Sequence, residues 1–92
     1  MGTVRGTSVV RGDRMTCAPV AVVALDALDE YGRARKEHGP MRSRHEGYAV
    51  ILEELDELWD EIKAKHPDKD RMRAEAIQVA AMALAFVVEV CA

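Results

Sequence analysis

The chain has 92 residues, a formal net charge of −3 and 49% hydrophobic residues, which leaves room for one domain and excludes a disordered chain. The acidic balance argues against non-specific grip on a nucleic acid polymer or an anionic membrane surface, since both demand excess Lys and Arg. Aromatic residues make up only 4%, too few for a base-stacking platform and suited to a helical core of Ala, Val, Leu and Met.

Residues 1–15 carry Arg5, Arg11 and Arg14 among Gly, Thr and Ser. They show neither an apolar period nor the unbroken apolar stretch of a secretory signal. They are read as a flexible N-terminal arm ahead of a helical domain at 16–92. The first helix is expected from about Pro19 to about His38, with Thr16 as N-cap and Pro19 in the first turn. Its apolar stripe is Ala21, Val22, Leu25 and Leu28. Gly39-Pro40 stops it, Gly by taking a left-handed cap and Pro by breaking the ladder.

Ser43-Arg44-His45-Glu46 has the form of a capping box and opens a second helix expected to reach about Lys65. On a helical wheel Ile51, Leu55, Leu58 and Ile62 form a narrow apolar stripe, with Tyr48, Leu52 and Trp59 along one border. Tyr48 and Trp59 are read as core packing. Val50, Glu54, Glu57 and Glu61 line the other border. After Pro67 a third helix opens at Asp68 or Asp70 and runs almost to Ala92, uninterrupted by Gly or Pro. No β-alternation occurs, so the fold class is all-α with three helices. Arg71, Glu75, Gln78, Met82 and Glu89 fall on one thin strip of this last helix, and every other face is apolar. A helix apolar nearly all round must be buried nearly all round. Two neighbours in so short a chain cannot cover it. The expectation is a homo-dimer or homo-tetramer with this helix inside a shared bundle.

Cys17 and Cys91 are far apart in sequence and form no Cys-x-x-Cys pair, which fits a reducing, cytoplasmic setting rather than a disulfide framework. The longest apolar run, Val79 to Val88, is ten residues, about half of what a bilayer span needs.

Chemistry concentrates in the second helix. Glu53, Glu54, Asp56, Glu57, Asp60 and Glu61 fall within nine residues, and Lys63 is the only base before the helix ends. Like charges three and four apart repel by roughly 0.2–0.5 kcal/mol per pair. A solvated acidic face is one reading. The other follows if the second and third helices pack antiparallel, which lets Glu54 and Glu57 face Glu75 and Gln78. Four oxygen-bearing side chains would then converge, a donor set that suits a hard cation such as Mg²⁺.

Glu53-Glu54-Leu55-Asp56-Glu57 and Glu75-Ala76-Ile77-Gln78 resemble the E-E-x-x-E and E-x-x-D motifs of the MazG-like all-α nucleoside triphosphate pyrophosphohydrolases. The resemblance covers about Gly39 to Val90 and is nearest to short, phage-type members. It implies Mg²⁺-dependent (or Mn²⁺-dependent) cleavage of a nucleoside triphosphate to monophosphate and pyrophosphate. It further implies metal ligation by Glu54, Glu57, Glu75 and the residue at 78. Glu53 and Glu54 are the implied catalytic carboxylates, Glu53 holding a second ion or orienting the attacking water. The family's Asp is Gln78 here, which brings an oxygen but no charge. The basic helical segment that follows in many members has no counterpart in the sequence; Lys63 and Arg71, with Lys65 and Arg73, are the candidates to replace its phosphate contacts, the other reading of each being a solvated helix end. The rival expectation is a non-catalytic relative, a helical oligomerisation or regulatory module with weak metal or nucleotide binding.

Overall fold

The computed structural model describes the backbone of residues 10–92 and the side chains of residues 19–92. Three helices, α1 (Val10–His38), α2 (Arg44–Ile62) and α3 (Lys69–Glu89), account for all the regular structure among the described residues. The all-helical reading therefore holds.

Boundaries follow local chemistry. Gly39 takes a φ of +76°, the left-handed cap expected of it, and its N–H donates to the Arg35 carbonyl at 2.8 Å. Ser43 is the α2 N-cap, its Oγ accepting the Glu46 N–H at 3.1 Å. The reciprocal half of the capping box is replaced. The Glu46 carboxylate turns to the Arg42 N–H at 2.6 Å and to the Arg42 guanidinium. That pair holds the Glu46 carboxyl down at about 2. Asp68 caps α3 by accepting from the N–H groups of Asp70 and Arg71 at 2.8 and 3.1 Å.

Two helix limits differ from expectation. α2 ends at Ile62 rather than near Lys65. α1 begins at Val10, so Pro19 lies inside the helix instead of in its first turn. Its missing N–H leaves the ladder one bond short at Met15, a cost of about 3 kcal/mol or more that does not end the helix. The expected arm thus yields residues 10–15 to α1, and residues 1–9 lie outside the described residues.

Cross-helix pairs set the packing. Asp26 meets Arg73 and Arg35 meets Glu89, so α1 runs parallel to α3. Gly47 meets Phe86 and Glu61 meets Arg71, so α2 runs antiparallel to α3. α3 lies between the other two, which scarcely touch. At Gly47 the helices come so close that a Cβ would stand 2.5 Å from Phe86 Cδ2.

The core is small. Among the described residues, Ala27, Ala34, Ala81, Met82 and Ala85 are the buried apolar ones, and no large side chain is fully enclosed. Tyr31, Met41, Val50 and Ile51 pack partly against it. α2 is rotated away from the orientation its apolar stripe implies. Ile51, Glu54, Leu58 and Glu61 turn toward α3, while Leu52, Leu55 and Ile62 stay exposed. Tyr48 and Trp59, expected in the core, are 65% and 55% exposed. The thin polar strip of α3 behaves in the opposite way: Glu75, Gln78, Met82 and Glu89 face inward, while Leu84, Val87 and Val88 face out. Among the described residues, several acids therefore lie partly buried while large apolar side chains such as Leu55, Trp59 and Val87 are exposed. No helix of the described residues is long and apolar enough to cross a membrane.

Candidate metal centre

The antiparallel α2–α3 pairing places the second turn pair of α2 against the first turns of α3. Glu54 and Glu57 share a helix face at i,i+3 spacing, and Glu75 projects toward them from α3. One carboxylate oxygen from each of Glu54, Glu57 and Glu75 lies within 4.8 Å of the other two. Glu54 and Glu75 are partly buried and Glu57 is exposed.

Their electrostatics record the crowding. Burial pushes the Glu54 carboxyl up to about 7, with further push from Glu57, Glu75 and Glu53. Burial likewise raises Glu75, with Glu57 and Glu61 adding to it. Both effects disfavour the charged form, by loss of water and by like charge. Arg71 of α3 sets its guanidinium 4.0 Å from Glu61 while remaining mostly exposed.

Beside the cluster, between α1, the 39–42 connection, α2 and α3, lies a cleft of about 410 Å³. Glu53, Glu54 and Gln78 line one part of it, and Arg33, Arg35 and His38 another. Gln78 of α3 adds to Arg33 in holding the Glu30 carboxyl of α1 low. Lys63 sits apart from this cleft, 3.4 Å from Asp60 and 5.9 Å from the Trp59 ring centroid.

Glu54, Glu57 and Glu75 are thus brought together, Glu53 and Gln78 border the adjoining cleft, and Lys63 and Arg71 flank other edges of the acidic face. Sequence reasoning overlooked the α1 contribution. Arg35 pairs with Glu89, whose carboxylate also accepts the Met41 N–H at 2.8 Å. Glu30 binds Arg33. Glu89 was legible as the single charge in the last turns of α3; its partner depended on the parallel α1–α3 register, which no sequence pattern encodes.

The donor set suits a hard divalent cation: three carboxylates converge, and their mutual repulsion leaves negative charge uncompensated. Without a cation the same arrangement is costly and takes up protons instead. Compared with known proteins, the chain matches no family model, no curated protein and no solved structure.

Proposed function

We propose that this protein is a Mg²⁺-dependent nucleoside triphosphate pyrophosphohydrolase of MazG-like type, acting as a homo-oligomer in a reducing, cytoplasmic setting. The observation that carries the reading is the convergence of Glu54, Glu57 and Glu75 across the α2–α3 interface, in the two segments whose sequence resembles that family. Glu54, Glu57 and Glu75 would hold the ion. When bound, it supplies positive charge against a triphosphate and polarises the phosphorus under attack. Glu53, exposed at the rim of the cleft, would accept a proton from an attacking water. Arg33, Arg35 and His38 offer the cleft's basic groups. The exposed apolar faces of α2 and α3 and the small core support an oligomer, since a protomer alone leaves them in water. Cys91, free and exposed, fits a reducing compartment.

Gln78 favours a second reading, a binding module of the same fold. Its amide helps hold the Glu30 carboxyl of α1 low and adds no charge to the carboxylate set. The deciding measurement is pyrophosphate release from a panel of nucleoside triphosphates with Mg²⁺ or Mn²⁺. Release that Glu54→Gln abolishes supports the enzyme. Metal-dependent stabilisation without cleavage of any nucleotide supports the module and overturns the enzyme.

A further inference from the structure

Among the exposed apolar surfaces, two, on α1 and on α2, have no partner among the described residues of the protomer. The first is on α1. Every residue from Pro19 to Leu25 is exposed, in the run Pro-Val-Ala-Val-Val-Ala-Leu, so this part of the helix is apolar all round and wet all round. The register explains it. Asp26 stands opposite Arg73, four residues into α3, and the two helices are parallel, so α1 before about residue 22 runs past the start of α3 at Lys69. Val10 to Ala21 then overhangs the α2–α3 hairpin by about 18 Å of helix. The second surface is on α2. Tyr48, Leu52, Leu55, Trp59 and Ile62 follow 4-3-4-3 spacing, the seam of a coiled coil, and all five are exposed, Trp59 by 55%.

We infer that these surfaces cover each other between two copies of the chain, the exposed α1 face of one protomer around Leu25 and Leu28 lying along the α2 seam of its partner in a two-fold dimer. Three observations select a second copy. One is area: Leu25 and Leu28 together with the α2 seam expose about 700 Å² of apolar surface per subunit, and two subunits supply about 1,400 Å², within the range of a specific, stable interface. Another is size matching. The α2 seam carries large knobs at Tyr48 and Trp59, whereas the exposed 4-3-4 row on α1 is Ala21, Leu25, Leu28 and Gly32, with nothing within 4 Å of a Cβ at Gly32. Small residues on one helix accept large ones from the other. The third is symmetry. Each chain holds one surface of each kind, so a two-fold axis satisfies both surfaces twice and closes the assembly. The rotation of α2 that turns Glu54 inward is what leaves its seam outward. The subunit contact and the carboxylate cluster are therefore two faces of one helix orientation.

This inference rests on the homo-oligomer of the reading above but on neither its metal nor its substrate. The test combines sedimentation with cross-linking. Wild type should sediment as a dimer or a multiple of it at micromolar concentration. Leu25→Glu and Leu55→Glu should each raise the dimer dissociation constant by at least about tenfold. Both positions are exposed in the single subunit, so the helical circular dichroism should persist. For the pairing itself, Leu25→Cys and Leu55→Cys chains are made separately, each with Cys17→Ala and Cys91→Ala. The mixture should cross-link with a short bis-maleimide while each chain alone does not. A monomeric wild type overturns the inference and leaves these faces to a different partner. A dimer that cross-links only like with like, or that survives both Glu substitutions, overturns the pairing. Nucleotide cleavage is scored separately, so failure of the catalytic reading leaves the sedimentation and cross-linking result intact.

Discussion

Neutralising Glu54 isolates the electrostatic cost of the carboxylate cluster. In the metal-free protein, burial and its acidic neighbours push this carboxyl from an ordinary 4.5 up to about 7. Between those values the folded state binds more protons than the unfolded state. The contribution of Glu54 to stability is therefore fully present below about pH 4.5 and lost as pH rises through about 7. The full displacement corresponds to about 3 kcal/mol. The carboxyl remains largely accessible to water, and screening reduces this to about 1 kcal/mol. For a domain of this size that is a melting temperature lower by about 4–8 °C at pH 8 than at pH 5. Glu54→Gln should flatten most of that slope, leaving the smaller part due to Glu75, which is raised in the same sense. Glu46, held down at about 2 by Arg42, acts with the opposite sign and only below about pH 4.5, outside the window. Thermal melts at low salt with a chelator, from pH 5 to pH 8, read the effect. Added Mg²⁺ should reverse the wild-type slope, because ligation requires the deprotonated carboxylates. Parallel pH profiles for wild type and Glu54→Gln would refute the electrostatic argument, and an unchanged Mg²⁺ response in the variant would remove Glu54 from the ligand set.

Three further outcomes follow from other parts of the structure. Gly47→Ala should destabilise by about 1–2 kcal/mol despite better helix propensity, because the new Cβ meets Phe86 Cδ2 at 2.5 Å; Phe86→Leu in the same chain should restore part of the loss, and a Gly47→Ala protein as stable as wild type would contradict the close α2–α3 approach. Glu89→Ala should cost about 2 kcal/mol in chemical denaturation, since the nearly enclosed carboxylate serves both Arg35 and the Met41 N–H, and a change below about 0.5 kcal/mol would show that this link does not tie α1 and the 39–42 connection to α3. Gln78→Asp should tighten Mg²⁺ binding, measured by titration calorimetry, by adding a fourth charge beside Glu54 and Glu75; weaker binding would mean that repulsion from Glu30 outweighs the gain.

Local chemistry was the legible part of this chain. The cap residues Ser43, Asp68 and Gly39 mark helix ends because each satisfies backbone groups within a few residues of itself. The α2–α3 antiparallel pairing was legible too, since the six residues between Ile62 and Lys69 leave no other course, and with it the meeting of Glu54, Glu57 and Glu75. The start of α1 was not legible, because Pro19 is a common first-turn residue and its interior position is set by the helix around it. Nor was the facing of α2. A wheel ranks faces by apolar content and sends the richest face to the core of the same chain. That rule fails when the richest face has another surface to meet.

The failure is informative because α2 and α3 depart from the rule together. A three-helix protomer free to rotate α2 would gain by hiding Leu55, Trp59 and Ile62 against Ala81 and Met82 and releasing Glu54 and Glu61 to water. Burial of one such side chain is worth about 1.5–3 kcal/mol, more than the i,i+4 terms on the helix surface. The observed orientation forgoes that gain and also raises the Glu54 carboxyl. Either part alone would be an error of packing. Taken together they require two compensations outside the protomer's own contacts, a cover for the apolar seam and a counter-charge for the acids. On the proposed reading a second copy of the chain would supply the first and a divalent ion the second, so assembly and metal binding should each raise stability, and their effects should add where the two faces of α2 do not touch.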